Sequence, residues 1–185
     1  MLACDVENIC SSLSPLLKNT IRNKILKLEE PATEYTCGEA LVIWTADWLS
    51  RVMLLSADQL RLVLEEFVDN IIKAGDELGY HMYRTPPTKD QEARKKYPVC
   101  KLGFLDRKLV CMDGRDTFVD LTTGNKTKAI NSQPLETVAY NLTTLFIRYN
   151  SERQKEHHKS KTAEFKGPSN GTVRTALPRH HERRG

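Results

Sequence analysis

The stretch TCGEALVIWTADWLSRVMLLSADQLRLVLEEFVDNIIKAGDEL, residues 36–78, decides the reading of this chain. It opens on Thr36-Cys-Gly-Glu39 and restarts on Ser56-Ala-Asp-Gln59. In each, a hydroxyl residue stands three positions before Glu or Gln, the form of a capping box. Each of its side chains satisfies a backbone N–H that the first helical turn leaves unpaired. Behind the first box, Leu41, Trp44, Trp48, Val52 and Leu55 recur on one face, flanked by Val42, Leu49 and Met53. Ile43 and Leu54 interrupt the polar side, so this helix is expected to pack on more than one face. Trp44 and Trp48, four residues apart in the stripe, are expected in the core. Asp47 and Arg51 in its middle argue against a membrane span.

Behind the second box, Leu60, Val63, Leu64, Phe67, Val68, Ile71, Ile72 and Leu78 keep helical spacing, with Gly75 and Gly79 as expected stops. So short a connection makes the two helices an antiparallel pair or a sharp corner. Toward the N-terminus, Ser14-Pro15 reads as an N-cap with proline at the first helical position. Leu17, Ile21, Ile25 and Leu28 continue that helix until Pro31.

Downstream the period changes. RTPPTKDQEARKKYP, residues 84–98, reads as a surface linker. CKLGFL, KLVCM and TFVDL then read as three short strands. Asp113-Gly114 is the expected two-residue turn, which would pair Leu109 with Phe118 and Arg107 with Asp120. A final helix is expected from Ser132-Gln-Pro-Leu-Glu, with Leu135, Val138, Ala139, Leu142, Leu145, Phe146 and Tyr149 along it. The fold class is α+β: a helical N-terminal half (1–83), the linker, an antiparallel β-meander plus helix (99–158), and a disordered basic tail (159–185). The two folded parts are expected to share one core, and the tail is too poor in large apolar groups to offset the entropy of ordering.

Charge follows the same division. Of the net +4, residues 151–185 carry nine Lys or Arg against four Glu, so residues 1–150 hold a net of −1. A cationic arm of this kind attracts phosphates or acidic protein surfaces. Lys155, Lys159, Lys161, Lys166, Arg174, Arg179, Arg183 and Arg184 are its candidate RNA or DNA contacts. Five cysteines without a C-x-x-C pair read as free thiols in a reducing compartment. The acidic start MLACDVENIC is unlike a secretory signal. The expectation is nucleus or cytoplasm, with no membrane attachment.

Catalytic chemistry finds little support. His157-His158 and His180-His181 are adjacent pairs among basic residues, and helical neighbours point about 100° apart, so neither pair chelates as it stands. Asp106, Asp113, Asp116 and Asp120 fall where turns require aspartate. Cys37 lies at a helix N-terminus, where the helix dipole could activate a thiol, but no base stands beside it in sequence. The chain is therefore read as non-enzymatic, with no cofactor and no metal. The outer face of the helix after Ser56 is acidic, carrying Asp58, Glu65, Glu66, Asp69, Asp76 and Glu77 against Arg61 and Lys73. Leu135, Leu142 and Tyr149 on the last helix form one heptad column. The leading expectation is an adaptor or subunit of an intracellular assembly, binding a protein partner through Glu65, Glu66, Asp69, Asp76, Leu142 and Tyr149. The alternative is a nucleic-acid-binding accessory protein that works through its basic tail.

Overall fold

The structure, a computed structural model, describes residues 1–28, 33–84, 101–105, 108–111, 117–128 and 138–164. The chain is α+β, and its centre is the pair read from residues 36–78. Helix α3 (Cys37–Val52) and helix α4 (Ala57–Arg84) pack against each other along their length. Both capping boxes form. The Glu39 N–H donates to Thr36 Oγ1 at 3.1 Å and the Thr36 N–H to Glu39 Oε2 at 2.7 Å. Ser56 and Gln59 make the same exchange at 3.0 and 3.3 Å.

Gly75 and Gly79 do not stop α4, which continues to Arg84. They are the places where α3 comes too close for a side chain. A Cβ on Gly75 would lie 2.7 Å from Gly38 Cα, and one on Gly79 2.6 Å from Cys37 Cβ. Gly38 in turn fits against the backbone of Ile72, and its N–H donates to Asp76 Oδ1 at 2.7 Å. Asp76 thus caps α3 from the side, satisfying one of the N–H groups its first turn leaves over. α3 buries residues on every side, Leu41, Val42, Ile43, Trp44, Ala46 and Leu49 among them, as its unbroken apolar run requires. Trp48 is partly buried against the same core.

Helix α1 (Ala3–Asn8) was not foreseen; it is one short turn-and-a-half, tied by a bridge between Leu2 and Glu34. The helix begun by Ser14 and Pro15 is α2 (Pro15–Thr20), and it passes at once into a π-turn, Ile21–Ile25. The wider turn keeps both Ile21 and Ile25 buried, and Lys27 at φ 53° then ends the helical run before Pro31.

The sheet has five strands, not three: β1 (Lys101–Leu105), β2 (Lys108–Cys111), β3 (Thr117–Asp120), β4 (Lys126–Lys128) and β5 (Val138–Asn141), in the order β4-β3-β2-β1-β5. All neighbours are antiparallel. β2 and β3 pair Leu109 with Val119, Val110 with Phe118 and Lys108 with Asp120, one residue away from the expected register. The expected turn falls on Asp113-Gly114. Those two residues, and Arg107, lie outside the described ones. The register sets Val119 on the same face as Phe104, and Val119, Leu102 and Phe104 join the helical core.

The last helix begins later than its apolar spacing suggested. Val138 and Ala139 belong to β5, Leu135 lies outside the described residues, and helix α5 spans Leu142–Glu164. Asn141 is the reason: its Oδ1 accepts from the N–H groups of Thr143 and Thr144, at 3.0 and 3.4 Å, so the helix starts there. α5 lies against α3, α4 and β1, and it runs past residue 159, where the tail was expected to begin.

Candidate interaction surface

The residues expected to meet a partner fall into three groups. Leu142 and Tyr149 are buried in the core, so their column on α5 faces this chain and not another. Glu66 is mostly buried and forms an ion pair with Lys126 of β4, and Asp76 is engaged as the cap of α3. Glu65 and Asp69 remain on the exposed face of α4, with Glu65 3.7 Å from Arg61 one turn away.

Tyr149 has a different role. Its hydroxyl donates to Asp47 Oδ2 at 2.7 Å and accepts from Arg51 Nη2 at 2.7 Å. The other carboxylate oxygen of Asp47 accepts from the Ser12 N–H at 2.9 Å. Asp47 is fully buried, so this network supplies the hydrogen bonds a carboxylate needs away from water. Burial and the neighbouring Asp47 hold the Tyr149 hydroxyl well above the usual tyrosine range. Burial, with Asp47 again nearby, does the same to the Cys10 thiol. Trp44 meets the ring of Phe146 edge-on and that of Tyr149 at a tilt, with ring centroids 5.8 and 5.7 Å away.

The nucleophile reading of Cys37 loses its basis. Burial raises its thiol, and the Asp76 carboxylate raises it further, so the carboxylate that caps α3 opposes the helix dipole at this position. Asp120, of the aspartates noted in sequence, accepts from the N–H groups of Thr122 and Thr123, the ordinary work of a turn aspartate. His157 Nδ1 lies 3.4 Å from Asp5 Oδ2, bringing α5 against α1. Among the described residues, no three His, Cys, Asp or Glu side chains are grouped to hold a metal ion. No described helix is long and apolar enough to cross a membrane.

What sequence reasoning missed lies at the far end of α4. Tyr83 is 54% exposed and Tyr80, one turn earlier, 58%. Tyr83 is nevertheless fixed: its hydroxyl donates to Asn150 Oδ1 at 3.1 Å and accepts from Arg153 Nη2 at 3.3 Å. Arg153 Nε donates to the same Asn150 oxygen at 3.2 Å, and Asn150 is buried. Two open aromatic rings and a guanidinium are thus presented on a braced surface between α4 and α5. The signal was available, since both tyrosines fall off the Leu60–Leu78 stripe that α4 buries. A smaller apolar projection stands at the α3–α4 corner, where Leu54 is 81% exposed at φ 53° beside half-exposed Val52.

Of the basic candidates, Lys155, Lys159 and Lys161 are exposed on α5 beyond its core contacts, with Lys159 bonded to Glu156. Lys166, Arg174, Arg179, Arg183 and Arg184 lie outside the described residues. No protein-family model matches this chain, and neither a curated protein nor a solved structure matches it.

Proposed function

We propose that this chain is a non-enzymatic adaptor or assembly subunit that binds a protein partner through its folded part, at the surface made by Tyr80, Tyr83 and Arg153. The observation that carries this is the bracing of Tyr83 by Asn150 and Arg153 while its ring stays open. Tyrosine and arginine are the residue types enriched where protein interfaces concentrate their energy, and a side chain held in place before binding has less freedom left to lose. The exposed carboxylates Glu65 and Asp69 lie further back on the same helix and suit the rim of such a contact. Co-purification with tagged full-length chain tests this reading. Tyr80→Ala with Tyr83→Ala should remove a specific partner from a chain that still folds by circular dichroism, and Glu65→Lys with Asp69→Lys should weaken it. Partner retention by both variants would overturn it.

A second reading, nucleic-acid binding through the basic C-terminal region, is favoured by exposed Lys155, Lys159 and Lys161 at the end of α5. Such affinity should be indifferent to sequence and fall steeply between about 50 and 200 mM salt, as counterion release requires. The fair test reverses Lys155, Lys159 and Lys161 to Glu in a chain that ends after Glu164, where α5 keeps its contacts with the core. A cut after Asn150 would remove Arg153 and His157, which hold α5 to Tyr83 and α1.

A further inference from the structure

Among the described residues the fold buries two carboxylates, Asp47 and Asp5, and it treats them differently. Asp47 is held by the Ser12 N–H, Tyr149 and Arg51, groups of kinds that keep their protons across the neutral range. Asp5 lacks such a set. Its side chain is 7% exposed, and its Oδ2 accepts no hydrogen bond among the described residues. Its Oδ1 meets the weak thiol donor of Cys4 at 3.8 Å. The cationic group that reaches it is His157 of α5, with Nδ1 3.4 Å from Oδ2.

A buried carboxylate short of donors is costly, and a positive charge placed beside it offsets that cost. Imidazole is the side chain whose charge ordinarily changes between about pH 5 and 8. We infer that His157 and Asp5 form a pH-operated latch between α5 and α1, closed when His157 is protonated and released when it is neutral. The charges on the elements around it leave the pair to each other. On α1, Glu7 is engaged by Tyr35 and Arg22, and the Met1 amino group donates to the Tyr35 carbonyl. On α3, burial raises the Cys37 thiol, and on α4, Asp76 is taken by the Gly38 N–H and Tyr83 by Arg153. β1 meets the opposite end of α5, where Lys101 is in register with Asn141. On α5 itself Lys159 pairs with Glu156, while Lys155, His158 and Lys161 are exposed. A guanidinium stays charged throughout this range, so the Arg153 bonds to Tyr83 and Asn150 persist. Opening therefore frees the part of α5 beyond Arg153, residues 154–164, with its three lysines. The latch does not depend on what the Tyr83 surface binds.

Amide hydrogen exchange of the full-length chain at pH 6 and at pH 8, each corrected for the exchange rate of an unfolded chain, tests this. Both conditions lie above the ordinary carboxylate range, so the comparison bears on imidazoles. Residues 154–164 should be about fivefold better protected at pH 6, the upper end for a partly exposed ion pair, with 142–153 unchanged. His157→Gln should abolish the difference by lowering protection at pH 6, whereas His158→Gln should leave it in place. His157→Arg, which carries its charge at both values, should give the higher protection at both. Equal protection at pH 6 and pH 8 in the natural chain, a difference that survives His157→Gln, or low protection at both values in His157→Arg would each overturn the proposal.

Discussion

Tyr149 and Asp47, 102 residues apart in the chain, meet through a 2.7 Å hydrogen bond that joins α5 to the middle of α3. The apolar spacing of both helices shows that each has a buried face. The bond fixes which residues face each other, because a buried carboxylate without its donors is strongly disfavoured. Asp47 lies in the middle of the longest apolar run in the chain and is satisfied there from three directions: Ser12, Arg51 and Tyr149.

Tyr149→Phe should therefore destabilise the protein by about 1–3 kcal/mol in denaturant titrations, the range for leaving a buried acceptor short of a partner. The same network gives an alkaline limit. The folded state raises the pKa of both Cys10 and Tyr149 above their ordinary values of 9.0 and 10.0. The unfolded chain then releases these protons first. The stability they contribute is complete below about pH 9 and declines as pH rises through and beyond the ordinary values. Stability measured from pH 8 to 11 should fall, and less steeply in Tyr149→Phe. A profile equally steep in that variant would remove Tyr149 from the explanation.

Thr45 offers the opposite sign. Its hydroxyl is buried with no hydrogen-bond partner among the described residues, next to Trp44, whose indole N–H is in the same position. Thr45→Val keeps the shape and removes the unsatisfied group, so the midpoint of unfolding should rise by the equivalent of about 1 kcal/mol. A loss of stability would show that the hydroxyl has a partner in solution.

Two further substitutions separate close packing from backbone preference. In an exposed helix, Gly→Ala stabilises by about 1 kcal/mol. Gly75→Ala should instead destabilise, since the new Cβ would meet Gly38 and the Cys37 carbonyl. Leu54→Gly should be neutral or stabilising, because Leu54 is exposed and holds a positive φ that glycine adopts freely. Thermal melts of both variants provide the check.

The parts of the fold legible in sequence are those governed by neighbours in the chain. Thr36–Glu39 and Ser56–Gln59 are local exchanges, and each forms as its residue types require. The glycines of α4 were misread because a helical glycine looks like a stop until the partner helix that needs the space is known. Val138 and Ala139 fit a helical stripe equally well as a strand. Asn141 carries the start signal of the last helix, but an Asn ahead of two threonines looks no more like a cap in sequence than Ser132 ahead of Pro134. At the candidate surface, Glu66 and Asp76 are acidic on an outward helix and so resemble Glu65 and Asp69. Only their tertiary partners, Lys126 and Gly38, show that they hold the fold together. Tyr83 was passed over for the same reason, since its bracing groups lie 67 and 70 residues away.

The central claim is that the braced tyrosine surface meets a protein. A photoreactive phenylalanine analogue in place of Tyr80 tests it most directly, because it leaves the hydrogen bonds of Tyr83 intact. Irradiation of the full chain in its native cell extract should give a discrete protein adduct from position 80. That adduct should be lost when Tyr83→Ala is added, and no such adduct should form with the same analogue at Leu16, an exposed site on α2. No adduct at position 80, or the same adducts from both positions, would contradict the account.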